Sequence, residues 1–306
     1  MPTFIGVGFS KAKDPFTASK EATLFAKLQT KQEKIDLFLV FSSINYSNEE
    51  IIRGIMEVAP SVPVIGGSSG GIILSHGIEK EGVAVLALSS DEMKFGLGLC
   101  EEITPAQERL CGSEVARNAI KNLGPHKRHF FMLISDGLIK NSSELIRGVQ
   151  EAVGKSFPFI GGASSDDLTF SKTYQYFQNR ILTNSAVGIL WGGEMNFGLG
   201  IKHGWKPLGK PHTATDTEGN IIKKIDHQPA IKIYEDYFGR ETRDLLSDKL
   251  ARMAILYPIG IYVPGEKEYL LRNTLGVTAE GHLVCQGEVP NESEIRLMIG
   301  SKDSCL

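Results

Sequence analysis

The sequence predicts an α/β (α+β) protein in which two duplicated strand-helix-strand lobes pack their sheets together between flanking helices, followed by a strand-rich C-terminal module. Three observations predict it. Short β-branched apolar runs alternate with segments of helical periodicity. Those segments recur in the same order in two stretches, about 36–101 and 129–202. The final section, from Tyr257 onward, is broken into strands by Pro-Gly, Glu-Gly and Pro-Asn turns.

The elements follow in chain order. Thr3 to Phe9 reads as a strand and Pro15 to about Leu28 as a helix. "DLFLVFSS" (Asp36 to Ser43) is an apolar strand ending in a polar pair, and "HFFMLISD" (His129 to Asp136) answers to it. The helix in "SNEEIIRGIMEVA" opens with a Ser47-x-x-Glu50 capping box and carries Ile51, Ile52, Ile55 and Met56 on one face. Its counterpart "NSSELIRGVQEAV" opens with Asn141-x-x-Glu144, and the triplet Ile-Arg-Gly recurs. "PVIGGSSGG" (Pro63 to Gly71) matches "PFIGGASSDD" (Pro158 to Asp167), and the strands "GVAVLAL" and "SAVGILW" follow. "MKFGLGLC" (Met93 to Cys100) matches "MNFGLGIK" (Met195 to Lys202), and a linking helix lies within "TPAQERLCGSEVARNAIKNLG". Beyond the second copy come an extended stretch, a Glu218-Gly219-Asn220 turn, a strand ending at Asp226, and a helix from about Pro229 to Phe238 stopped by Gly239. The division expected is an N-terminal module over 1–228 and a C-terminal module over 229–306.

Composition narrows the function classes. Of 306 residues, 42% are hydrophobic and 23% charged, which suits a large core. The net charge is -3, from 33 basic and 36 acidic residues without a basic tract, so nucleic acid is not an expected partner. Cys100, Cys111, Cys285 and Cys305 are scattered without a C-x-x-C pair, and read as free thiols in a reducing cytosol. The N-terminus lacks the charge and apolar run of a signal peptide, and no stretch approaches eighteen apolar residues. A cytoplasmic protein without membrane insertion is expected.

The glycine motifs carry the first candidate chemistry. Gly66-Gly67-Ser68-Ser69-Gly70 fits the G-x-S-x-G pattern of a serine hydrolase elbow, but such an elbow needs a helix after the serine. Here Gly71, Gly77 and Gly82 lead into the strand Val83 to Leu88, and Ile72-Ile73 stands where a P-loop needs Lys-Ser/Thr. The pairs Gly66-Gly67 and Gly161-Gly162 are shared by both copies, which suits a positive-φ turn or close backbone approach. After them the copies diverge, Ser68-Ser69-Gly70-Gly71 against Ala163-Ser164-Ser165-Asp166-Asp167. Adjacent carboxylates diverge on an extended strand, so at most one of Asp166 and Asp167 points into a site.

Other candidates stand alone. Arg272 sits among apolar residues and needs a carboxylate or a cluster of carbonyls; a ligand carboxylate would serve, as would an internal acid such as Glu266 or Glu268. His203 and Trp205 have no counterpart after the first copy, where Glu101-Glu102 stands; the indole either stacks a ligand or plugs a joint. His126 and His129 have H-x-x-H spacing without neighbouring ligands, and Gly96-Leu97-Gly98 lacks the third glycine of a nucleotide fingerprint.

Taken together, "DLFLVFSS", "PVIGGSSGG", "PFIGGASSDD", "GIKHGWKPLG", "TEGNIIKKIDHQPAIKIYEDYFG", "YPIGIYVPGEKEYLLRNTLGV" and "SEIRLMIG" resemble the FIST domain family, a sensory module of signalling proteins also found in an F-box protein. The resemblance runs from about Asp36 to the end. It implies a ligand-sensing role directed at small molecules such as amino acids, with a C-terminal module beginning near Pro229. Members usually continue past the segment matching "IGSKDSCL", so that module is expected to be incomplete here. One branch is similar to haem proteins that sense nitric oxide, and His203 is the histidine to carry an axial bond. The expectation is therefore binding without catalysis and without a cofactor, haem being the alternative. A small polar ligand, most plausibly an amino acid, would lie near the glycine turns, contacted by backbone N–H groups, Ser68, Ser69, Ser164, Ser165 and Arg272. The signal would pass to a downstream signalling protein.

Overall fold

The structure, a computed structural model, describes residues 3–46, 49–167, 169–239 and 256–300. Ser47, expected to cap a helix, and Cys305 lie outside the described residues. The chain divides into two compact units, Met1–Gly198 and Leu199–Leu306.

The first unit contains a strand-helix-strand-helix-strand order twice. The first pass is β1 (Phe4–Ser10), α1 (Pro15–Thr30), β2 (Leu37–Ser43), α2 (Glu49–Val58), β3 (Val64–Ser69), the hairpin β4 (Ile72–Leu74) and β5 (Gly77–Glu79), and β6 (Val83–Ser89). The second is β7 (Met93–Cys100), α3 (Glu108–Leu123), β8 (Arg128–Ser135), α4 (Ser142–Val153), β9 (Phe159–Ala163), the hairpin β10 (Gln175–Phe177) and β11 (Arg180–Leu182), and β12 (Ala186–Gly193). One sheet is ordered β1-β6-β2-β3-β10-β11 and the other β7-β12-β8-β9. In each, the β2–β3 or β8–β9 pair is parallel and the remaining pairs antiparallel.

Three cores make this unit a four-layer sandwich. Leu37, Leu39, Ile65 and Leu88 of the first sheet meet Leu97, Phe130, Ile134, Val187 and Trp191 of the second. On its outer face the first sheet packs Phe38, Val40 and Val85 against Ala18, Ala22 and Ile55 of α1 and α2. The second packs Phe131, Leu133 and Leu190 against Val115, Ala119, Leu145 and Val149 of α3 and α4. The helices lie close because glycines admit them. A Cβ at Gly6 or Gly8 would meet the Ala26 or Ala22 carbonyl oxygen of α1 at 2.0 or 1.8 Å, and one at Gly96 or Gly98 would meet those of Ala119 or Val115 in α3 at 2.1 or 1.9 Å. The recurring Ile-Arg-Gly triplet has the same cause, since a Cβ at Gly54 would stand 2.4 Å from the Phe16 carbonyl oxygen and one at Gly148 1.9 Å from that of Arg109.

These contacts correct several expectations. The counterpart of "MKFGLGLC" is the N-terminal "FIGVGFS", and Met195–Lys202 contains no strand. The recurring unit therefore starts one strand and one helix earlier than the 36–101 and 129–202 boundaries. Gly96-Leu97-Gly98 is a helix seat. Cys100, at the end of β7, and Cys111, in α3, are joined by a disulfide instead of being free; the turn between these elements brings their Cα atoms to 5.5 Å.

In the second unit β13 (Trp205–Glu218) and β14 (Ile221–Ile225) form a long hairpin, with β15 (Gln228–Pro229) on β14. After α5 (Lys232–Phe238) come β16 (Ile259–Ile261), β17 (Leu270–Arg272), β18 (Thr274–Val277), β19 (Leu283–Cys285) and β20 (Ser293–Gly300). They form one sheet, β17-β16-β20-β13-β14-β19-β18. Because β13 pairs with β20 and β14 with β19, the long hairpin belongs to the compact unit that begins after Gly198. The core gathers Ile222, Ile231, Ile259, Leu283, Ile295 and Leu297 around Tyr234, whose hydroxyl donates to the Tyr257 carbonyl at 2.8 Å. Burial pushes that phenol far above its ordinary value.

Candidate functional site

The parallel strands β2, β3 and β8 end in serines and Ser164 follows the end of β9, at the place where open α/β sheets usually take their ligands. Ser68 is buried there, and its Oγ donates to the Ser165 carbonyl at 2.8 Å while accepting from the Tyr174 N–H at 3.0 Å. Ser165 N–H donates back to the Ser68 carbonyl at 2.9 Å. Ser69 Oγ donates to the Gly71 carbonyl. Ser68 thus stitches the first copy to the loop of the second, while Ser69 is held within its own turn. The chain after Gly70 enters the β4–β5 hairpin and not a helix, so Ser68 lacks the elbow a nucleophile needs.

The glycine pairs act through space and not through positive φ, which none of the four adopts. A Cβ at Gly66 would stand 1.8 Å from the Val40 carbonyl oxygen, and one at Gly161 2.3 Å from that of Leu133. Gly67 makes room for Ser164, whose Oγ would lie 2.4 Å from an added Cβ. That hydroxyl is buried and has no hydrogen-bond partner. At Gly162 nothing lies within 4 Å.

Asp166 was expected to face a ligand, but its own loop fills it. The carboxylate accepts from Ser171 N–H at 2.6 Å, Phe170 and Lys172 N–H at 3.1 Å each, and Thr169 Oγ1 at 2.8 Å. Burial works to raise this carboxyl, and those donors outweigh it, holding it below the usual carboxylate value. Asp136, which sequence reasoning passed over as a strand end, does the same work beside it, accepting from Leu138 N–H at 2.8 Å and Asn184 N–H at 2.7 Å. The Ser42 and Tyr176 hydroxyls bond at 2.6 Å.

His203, Trp205 and Arg272 belong to the second unit. Trp205 opens β13, its indole across Gly300, with the His203 ring edge-on at 6.2 Å. Arg272 has neither of the acids considered for it: Nε donates to the Glu288 carbonyl at 2.8 Å and Nη1 to the Leu271 carbonyl at 3.0 Å. Carbonyls satisfy it, and burial pulls the guanidinium below its ordinary value. Cys285 nearby is pushed up to about 12, by burial above all.

A further candidate lies around His203. A cleft of about 940 Å³ is walled by Leu199, Ile201, Val263, Leu270 and Leu271, with Glu266, Lys267 and Glu268 at its polar end. His203 Nε2 donates to the Tyr269 carbonyl at 2.9 Å and lies 3.6 Å from Glu268 Oε2. Its Nδ1 is enclosed without a partner. An axial bond to haem iron requires one of these nitrogens to face an open pocket, and in this arrangement neither does. Lys267 and Glu268, which line this cleft, were not weighed as ligand contacts because "PGEKEY" reads as an ordinary charged turn. His129, of the H-x-x-H pair, is buried and bonds the Gly193 carbonyl at 2.8 Å. Among the described residues no helix is long and apolar enough to cross a membrane.

Comparison with known proteins gives the chain its relatives. An uncharacterized protein of Methanocaldococcus jannaschii is 24% identical over 205 residues, 64% of this chain and 39% of that protein, so the chain spans about two fifths of its length. An uncharacterized protein of Mycobacterium bovis is 22% identical over 281 residues, 89% of this chain and 69% of that one, and one of Mycobacterium tuberculosis matches equally. Among solved structures, a cyanuric acid hydrolase from A. caulinodans aligns with a TM-score of 0.38 at 8% identity, over 63% of this chain and 68% of that one. The FIST N domain matches residues 36–228 and the FIST C domain residues 230–306. The chain therefore belongs to the FIST family, whose domains are sensory domains of signal transduction.

Proposed function

We propose that this chain is a sensory module that binds a free amino acid with an apolar side chain in the His203 cleft and passes the signal to a downstream protein. The observation that carries this reading is the pairing, in one cleft, of a wall of aliphatic side chains with a short run of opposite charges, Glu266-Lys267-Glu268. A zwitterion with an apolar body matches both parts: its ammonium group suits Glu268, its carboxylate Lys267, and its side chain the wall of Leu199, Val263 and Leu271. Ser68 and Ser69 near the glycine motifs support it less, because their hydroxyls are bonded within the fold. A thermal-shift screen of the common amino acids, with haem included, tests the reading. An apolar amino acid at a hundredfold its Kd should stabilise the fold by about 2.7 kcal/mol. A Soret band and a shift with haem alone would replace it by the haem reading, and no shift with any amino acid would end it.

A further inference from the structure

The duplication leaves one strand edge and one hairpin without the partners that their counterparts have. In the first copy the outer edge of β3 is covered by β10, with Gln175, Tyr176 and Phe177 opposite Gly67, Gly66 and Ile65. Hydrogen bonds run from Gln178 N–H to the Val64 carbonyl at 2.7 Å and from Ser68 N–H to the Tyr174 carbonyl at 2.9 Å. The second copy's equivalent of β3 is β9, which ends its sheet with no strand beyond it among the described residues. The Pro158 carbonyl and the Ser164 N–H bond inward to β8. Strand alternation then turns the backbone groups of Phe159, Gly161 and Ala163 outward. Gly161 and Ala163 are exposed.

The hairpin that lacks a partner is β4–β5. It precedes β6 as β10–β11 precedes β12, turns through two residues as that hairpin does, and among the described residues pairs only with itself. With β6 aligned on β12, Ile73 takes the place of Tyr176 and Ile78 that of Ile181. Tyr176 is fully buried and Ile181 packs against the same core. Ile73 and Ile78, facing each other across their hairpin, are 83% and 65% exposed. An open edge and an exposed apolar hairpin are each a template for strand addition.

We infer that the β4–β5 hairpin of one copy of this chain adds to the β9 edge of a second copy, antiparallel, in the register that β10 takes on β3. Ile73 then lies opposite Gly161, as Tyr176 lies opposite Gly66, and the glycine leaves space for the larger side chain. Each copy offers one hairpin and one edge, so the contact runs head to tail and closes into a ring if two copies exchange hairpins.

Light scattering on the eluting full chain, at rising concentration, tests this with two variants. Ile73→Asp spoils the hairpin, and Ala163→Pro removes one outward N–H while the bonds to β8 remain. If Ala163→Pro fails to fold, Gly162→Lys replaces it, since its side chain meets nothing within 4 Å in one copy but stands against Ile72 of the incoming strand. The wild type should reach the mass of two or more chains and each variant that of one. An equal mixture of the two variants should regain two-chain species, because each keeps the surface the other has lost. A wild type of one chain at every concentration, association that either variant leaves intact, or a mixture that stays monomeric each overturns the inference.

Discussion

Asp166 shows how far a residue type can be read before its neighbours are known. An acid beside a glycine turn suggests an amine-binding group, and nothing in "GGASSDD" says that the chain will curl back to offer Ser171, Phe170 and Lys172 N–H to it. Its role is to hold a loop. In the folded chain this carboxyl titrates below its ordinary 3.8, so between the two values the unfolded chain binds more protons. The stability it contributes is complete above that ordinary value and is lost as pH falls through the folded one. Asp166→Asn should therefore lower stability by about 2 kcal/mol at neutral pH, the order expected for hydrogen bonds to a charged acceptor. It should also flatten the acid side of a plot of melting temperature against pH. An unchanged acid side would mean that the loop is not held through this carboxylate. Arg272 teaches the same lesson, since the sequence requires a partner for it but cannot say that the partner is the Glu288 carbonyl.

At the scale of elements the duplication was legible and its starting point was not. The helices, the parallel strand pairs and the glycine motifs all recur as strings, because each copy must solve the same packing problem. Phe-Gly-Leu-Gly also recurs as a string, at 95–98 and 197–200, and that coincidence placed the copies one strand out of phase. The real counterpart of Gly96 and Gly98 is Gly6 and Gly8, related by the helix each pair seats and scarcely by sequence. Gly98→Ala should cost about 3 kcal/mol, since a methyl there runs into the Val115 carbonyl and α3 must move off the sheet. Gly162→Ala, with nothing within 4 Å of the new methyl, is the matched control and should melt as the wild type does in dilute solution. Equal melting of the two variants, read by circular dichroism, would show that α3 is not seated through Gly98. The disulfide was illegible for a related reason: Cys100 and Cys111 belong to no spacing motif, and only the turn between β7 and α3 brings them together.

For the whole molecule, the sensory class was legible through the family resemblance, whereas the cleft to which we assign the ligand was not. Gly-rich strand ends draw the eye because backbone can approach a ligand there, yet Ser68 and Asp166 use their bonding capacity inside the fold. The cleft is built from residues distant in sequence, Leu199 to His203 on one side and Val263 to Leu271 on the other, and its charged end looks like an ordinary turn. Titration calorimetry of an apolar amino acid into the wild type, Glu268→Gln and Ser164→Ala tests the placement most directly. Glu268→Gln should weaken binding tenfold or more, about 1.4 kcal/mol, by removing the charge that pairs with the ligand's ammonium group, and Ser164→Ala should leave the affinity unchanged. Loss of binding in Ser164→Ala with wild-type affinity in Glu268→Gln would contradict the account and return the ligand to the glycine motifs.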